Sequence, residues 1–243
     1  MKNFKNSGWF NLFNNKNFIY NRDSKIILVK KNYRYSSFKL LKVIHHNIDK
    51  KKFNKIINFV EKIVPIKKGS SLLDFGSGNG ALLYYFINKF KLTKNLSVEI
   101  SMPLLNFQKK FIKKTNFSNN IKFFHDNRVD NTLCYSVFQY LNKKDAKNVL
   151  KNMIKITRKC IVIFDVKNKK LSNQFKMNQR IRQNLSIKEF NKKYQDTPYN
   201  FYSKNFFINL IKNYKNKLRV EFFKMPRESI DYKFGYCVKI SKK

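Results

Sequence analysis

Residues 71–80 read Ser-Leu-Leu-Asp-Phe-Gly-Ser-Gly-Asn-Gly. Glycines at 76, 78 and 80 let the chain turn sharply and let a ligand approach the main chain with no Cβ in the way. Leu72, Leu73 and Phe75 make the preceding stretch an apolar strand, and Leu82, Leu83, Phe86, Ile87 and Phe90 give the following one a helical face. A strand, a glycine turn and a helix N-terminus make a nucleotide site. Gly76-x-Gly78-x-x-Ala81 also fits the dinucleotide pattern, but Asp74, two residues before the first glycine, would oppose a pyrophosphate. The same carboxylate favours a ligand carrying an ammonium and a sulfonium. Glu99 ends the next apolar stretch, Leu96–Ile100, about twenty residues after the turn, where an acidic side chain accepts both ribose hydroxyls. The plain alternative is a tight strand-to-helix turn with no ligand.

Asp74-x-Gly76-x-Gly78-x-Gly80 resembles the first motif of the class I S-adenosylmethionine (SAM)-dependent methyltransferases, and SAM is the ligand that carries both cations. The likeness spans roughly residues 53–241 and is densest at this motif. It implies cofactor contacts at Asp74, Gly76, Ser77, Gly78, Gly80, Glu99, Ile100, Asp126 and Ser136, with Asp126 meeting the adenine. Tyr135–Leu141 is similar to the segment that borders cofactor and substrate in small-molecule methyltransferases, which places Gln139 at the transfer site. The family often lines its acceptor pocket with an insertion after the fifth strand. Here that is 167–203, holding Arg180, Arg182 and Tyr199. Asp196–Lys204 resembles a segment of bacterial methyltransferases encoded among surface-polysaccharide genes, which implies a sugar or a sugar-linked small molecule as acceptor. The two arginines would suit an anionic acceptor such as a sugar nucleotide; ordinary surface pairing is the alternative.

Methyl transfer onto oxygen needs a base for the hydroxyl proton, or a metal to acidify it. Histidine serves best near neutral pH, and the chain has three: His45, His46 and His125. His125 closes the expected third strand, Ile121–Phe124, beside Asp126. Asp165, at the end of the fifth strand, is a second candidate base. No His/Asp/Glu cluster suggests a metal, the tetrapeptide of amino-directed methyltransferases is absent after strand four, and the cysteines lack the context of pyrimidine carbon methylation.

Several elements must position these groups. A helix carries Phe53, Ile56, Ile57, Val60 and Ile63 on one face and stops at Pro65. Pro103 starts another, with Leu104, Leu105, Gln108, Phe111 and Ile112 aligned. Asn131–Ser136 reads as strand four, and Ala146, Val149, Leu150, Met153 and Ile154 as a buried helix face. Cys160–Phe164 reads as a strand covered on both sides. A helix over Lys204–Tyr214 and strands over Leu218–Lys224 and Tyr232–Ile240 complete the order. The expectation is an α/β fold: a doubly wound, Rossmann-like sheet of about seven strands, the last pair antiparallel. Residues 1–45, rich in aromatics, form an extension over the active-site mouth, and 46–243 form the methyltransferase domain.

The chain has 243 residues and a net charge of +39, with 53 basic residues against 14 acidic ones. Such a surface attracts polyanions. Yet 45 of the basic residues are lysine and only 8 arginine, and Asn, Ile, Phe and Tyr are abundant. That is the usage of codons made of A and T, and arginine is the residue suited to bidentate phosphate contacts. Cys134, Cys160 and Cys237 match neither a zinc pattern nor a disulfide framework, which fits a reducing, cytoplasmic setting. No apolar run reaches the length of a membrane span, and no secretory signal is evident. Oligomeric state is not legible. The acceptor divides the readings: a small molecule first; RNA second, disfavoured by the scattered lysines; a non-catalytic SAM-fold binding protein third. Asp74 argues against a nicotinamide-dependent oxidoreductase.

Overall fold

The computed structural model describes residues 49–120, 122, 127–195, 199–214, 216–229 and 231–243. The expected N-terminal extension, His45, His46, His125 and Asp126 lie outside these residues, as does Ile121–Phe124 apart from Lys122.

The first described helix, α1 (Lys50–Ile63), starts where the Asp49 carboxylate accepts the Lys52 amide at 2.7 Å and buries Phe53, Ile56, Ile57, Val60 and Ile63. Strand β1 (Ser71–Phe75) is buried along its length and leads through the glycine turn into α2 (Ala81–Phe90). Then come β2 (Lys94–Val98), α3 (Met102–Phe111), β3 (Thr115–Ser118) and β4 (Val129–Tyr135). Next are a 3-10 turn at Phe138–Tyr140, α4 (Lys143–Ile156) and β5 (Thr157–Lys167). The insertion supplies α5 (Ser172–Arg182) and α6 (Ile187–Lys193), and α7 (Lys204–Ile211), β6 (Leu218–Lys224) and β7 (Gly235–Lys242) close the chain.

The seven strands run in the order β3-β2-β1-β4-β5-β7-β6. The first five pair in parallel, and β7 is antiparallel to both β5 and β6. Both faces are covered, which is why β1 and β5 read as continuous apolar runs. Leu72, Leu133, Val162 and Phe164 pack with α1 and α2 on one side. Leu73, Ile161, Ile163 and Val238 pack with α4 and α7 on the other.

Several element boundaries differ from the sequence reading, among them the last strand, which starts at Gly235 after a 3-10 turn over Tyr232–Phe234. The third strand is Thr115–Ser118, upstream of the apolar run at 121–124. Among the described residues it sits at the sheet edge, pairs only with β2 and is only half-buried, so it carries no apolar run of its own. Strand β5 continues past Asp165 to Lys167, across a register shift between Ile163 and Val166.

Strand order reverses between β1 and β4, so the loops after these strands diverge to opposite faces and leave a crevice at their carboxyl ends. The glycine turn and the Ser136–Tyr140 segment meet there: a Cβ placed on Gly76 would lie 2.2 Å from Cγ2 of Val137.

Candidate active site

The turn after β1 is held open by its glycines. Gly76 and Gly80 have φ of 70° and 79°, where a side chain is strained. Gly76 also has no room for one against Val137, and a Cβ on Gly80 would lie 2.5 Å from Cδ1 of Ile112. The Gly76 amide donates to the Val98 carbonyl at 2.7 Å, which ties the turn to the end of β2.

Glu99 clamps the same turn. It is buried, its Oε2 accepts the Gly78 amide at 2.7 Å and its Oε1 accepts the Ser101 amide at 2.8 Å. Burial pushes its carboxyl up from the usual 4.5 to about 7, against the pull of the Ser101, Gly78 and Ile100 amides. Asp74 is 2% exposed beneath the turn. Burial first, and the neighbouring Glu99 second, raise it from 3.8 to about 7, while the Leu83 amide in the first turn of α2 draws it down. Two buried carboxyl groups that oppose each other's ionisation form a site that a cationic ligand relieves.

A side chain that sequence reasoning placed only on a helix face completes the clamp. Gln108, fully buried on α3, donates through Nε2 to Ser77 Oγ at 2.8 Å and to the Gly78 carbonyl at 2.6 Å. Its Oε1 accepts from Ser97 Oγ at 2.8 Å, and the Ser77 and Ser97 hydroxyls are 2.7 Å apart. The available signal was a lone amide in an otherwise apolar stripe, Leu104-Leu105-x-x-Gln108.

Across the crevice, Ser136 and Asp165 both have φ of 57°, a conformation that costs a residue with a side chain about 1–3 kcal/mol. Ser136 Oγ donates to Asp165 Oδ2 at 2.7 Å, and the Lys167 ammonium donates to Asp165 Oδ1 at 2.7 Å. Gln139 donates to the Ser136 carbonyl at 3.3 Å, and its buried amide oxygen has no hydrogen-bond partner among the described residues.

Thus the structure brings together Asp74, the three glycines, Ser77, Glu99 and Ile100 at one lip, and Ser136, Gln139 and Asp165 at the other. Tyr199 packs 6.5 Å from Tyr140 and 4.9 Å from Phe175, joining the insertion to the segment after β4. Arg180 and Arg182 lie on α5. Arg182 is engaged by Asp231 at 3.3 Å and by Gln179 at 2.7 Å, so its charge is already partnered. Among the described residues there is no group of three or more His, Cys, Asp or Glu placed to hold a metal. Nor is any described helix long and apolar enough to cross a membrane.

A parallel sheet in this order, closed by an antiparallel β7 and carrying an acid-preceded glycine turn after β1, has the fold of the SAM-dependent methyltransferases. Magnesium protoporphyrin IX methyltransferase (ChlM) from Synechocystis PCC 6803, solved with bound SAH, is similar over 96% of this chain and 97% of its own, with a TM-score of 0.58 at 10% identity. The plantazolicin methyltransferase BpumL in complex with SAH is similar over 93% and 92%, with a TM-score of 0.54 at 16% identity. A small RNA methyltransferase is similar over 81% of this chain and 26% of its own, with a TM-score of 0.57 at 16% identity. No curated protein matches the sequence. The family model for methionine biosynthesis protein MetW matches residues 53–229, and the chain belongs to that family.

Proposed function

We propose that the chain is a SAM-dependent methyltransferase acting on a small molecule, a sugar or surface-polysaccharide precursor, with 167–203 as the acceptor-side insertion. The observation that carries the methyltransferase reading is the glycine turn, held by Glu99 and Gln108 above a second buried carboxyl, Asp74. Its residues fit SAM. Glu99 has lone pairs left for ribose hydroxyls, and the glycines admit close approach. The two acidic groups favour a ligand with an ammonium and a sulfonium. When bound, SAM supplies a methyl group on a positively charged sulfur. The chain's part is to hold the acceptor in line with that methyl, and such positioning supplies much of the rate. Gln139, with its unfilled amide oxygen beside Ser136, offers a hydrogen-bond acceptor to a hydroxyl or amine on the substrate. The small-molecule reading is supported by the aromatic and half-buried character of the insertion around Tyr199.

Two measurements test this. Calorimetric titration with SAM and with SAH is expected to show saturable binding of both. Radiolabelled SAM, incubated with the chain and an extract of the source cells, is expected to place label in the small-molecule or glycan fraction. Label in RNA instead would overturn the acceptor, and binding with no label anywhere would make the chain a non-catalytic SAM-binding protein.

A further inference from the structure

Among the described residues of β5 and the insertion, Lys167 is the most deeply buried charge, with a side chain 3% exposed. It stands in no motif. Its ammonium lies 2.7 Å from Asp165 Oδ1, 3.9 Å from Asp231 Oδ2 and 5.2 Å from the centre of the Phe175 ring. Asp231 is held in turn by Gln179 at 2.9 Å and by Arg182, both on α5. Everything around Asp165 is arranged for its carboxylate. The backbone is left-handed at Asp165 and at Ser136, and the strand register slips beside it. Gly235, the register partner of Lys167 on β7, leaves room for that carboxylate: a Cβ there would lie 2.8 Å from Asp165 Oδ1. A buried ion pair gives little stability over apolar residues of the same size, and strain of this kind gathers at functional sites.

Resting on the methyltransferase reading, we propose that Ser136 is a catalytic residue that passes the acceptor's proton to Asp165, and that Lys167, latched by Asp231, is the positioning residue that fixes Asp165. Ser136 is half-buried at the crevice and Asp165 stands behind it, so the hydroxyl meets the acceptor and the carboxylate acts through it. The hydrogen bond already runs from Ser136 Oγ to Asp165 Oδ2. The acceptor's oxygen or nitrogen forms its bond to the methyl carbon as the methyl–sulfur bond breaks, with that electron pair left on sulfur. The acceptor's proton moves to Ser136 Oγ as the Ser136 proton moves to Asp165 Oδ2, and Asp165 later returns it to water. A hydroxyl becomes strongly acidic once methylated, so a carboxylate is base enough. The acceptor in this step is a hydroxyl or an amine that loses a proton as it is methylated. Charged and titratable groups facing Asp165 are Lys167 from its own strand, Asp231 from the turn before β7, and the phenols of Tyr135 and Tyr140 from β4 and the turn after it.

The test uses the full chain and its S136A, D165N, K167M and K167R variants. SAH affinity is read by calorimetry, and transfer of radiolabelled methyl from SAM into source-cell extract is read across pH. With SAM saturating for each variant, S136A and D165N are expected to lose transfer by roughly 100-fold or more, D165N with SAH affinity within about threefold of the parent. K167M is expected to lower transfer at saturating SAM roughly tenfold with SAH affinity unchanged, because the carboxylate loses the ammonium that holds it behind Ser136, and K167R to restore it. Transfer by S136A within threefold of the parent overturns the proposal alone. Transfer by K167M within twofold of the parent, or a loss that K167R does not restore, reduces Lys167 to a structural latch and overturns its assigned role. No transfer by the parent chain, with SAH bound, refutes the enzyme reading and this proposal with it.

Discussion

Glu99 carries the sharpest consequence at the scale of single residues. Its carboxyl is raised from 4.5 to about 7 by burial, and Asp74 is raised to about 7 beside it. In the unfolded chain both groups return to the ordinary carboxylate range. Between that range and about 7 the folded, ligand-free chain binds protons that the unfolded chain lacks. These two groups therefore favour the fold at acidic pH, and that contribution is lost as pH rises through about 7. SAM reverses the preference, because its cations and ribose hydroxyls favour ionised carboxylates. SAM affinity is expected to rise as pH passes through about 7, with proton release seen by calorimetry in buffers of different ionisation enthalpy. Glu99→Gln should remove much of that dependence. Glu99→Ala should weaken SAM roughly 10- to 100-fold, the worth of one to two charge-assisted hydrogen bonds. Unchanged affinity in Glu99→Ala would end the ribose assignment.

Elements explain what the sequence disclosed and what it withheld. The glycine turn was legible because its residues do one local job, and β1 and β5 because burial on two faces demands apolar runs. Strand β3 was not. Thr115-Asn-Phe-Ser118 lies at an edge with one neighbour, where nothing forces a hydrophobic signature, and the apolar run downstream drew the assignment instead. Gln108 was visible only as an amide in an apolar stripe, and its partners come from elsewhere in the chain, Ser77 and Gly78 from the glycine turn and Ser97 from β2. Lys167 and Asp231 are far apart in the chain and meet only because β7 returns antiparallel to β5. The clamp made by α3 is testable as a unit. Gln108→Leu keeps the volume but strands the Gly78 carbonyl and, in the Ser77–Ser97 pair, one hydroxyl donor and one lone pair, and should cost about 2–4 kcal/mol in urea unfolding. It should also weaken SAM binding, since the Gly78 segment loses its fixed position. A stability loss with full SAM affinity would make Gln108 a packing residue only.

At the scale of the whole molecule the charge is unevenly used. The chain has only 14 acidic residues, yet Asp74, Glu99 and Asp165 are all buried at the crevice. A ligand therefore crosses a strongly positive field to reach an acid-lined site. SAM bears a net single positive charge at neutral pH, from sulfonium and ammonium against one carboxylate, whereas SAH is neutral overall. Repulsion by the protein's field slows SAM and leaves SAH untouched, and salt screens it, the Debye length falling from about 30 Å at 0.01 M to about 10 Å at 0.1 M. The SAM association rate is expected to rise several-fold over that range, with the SAH rate flat. RNA should behave in the opposite sense. If its attraction is only that of scattered lysines, its affinity should fall steeply with salt and equally for every base composition. Stopped-flow kinetics with the two cofactors, beside salt titrations of homopolymer RNAs, read both. A flat SAM rate would mean that the charge is held away from the crevice. An RNA affinity that keeps a base preference at physiological salt would mean that the basic surface recognises a nucleic acid acceptor.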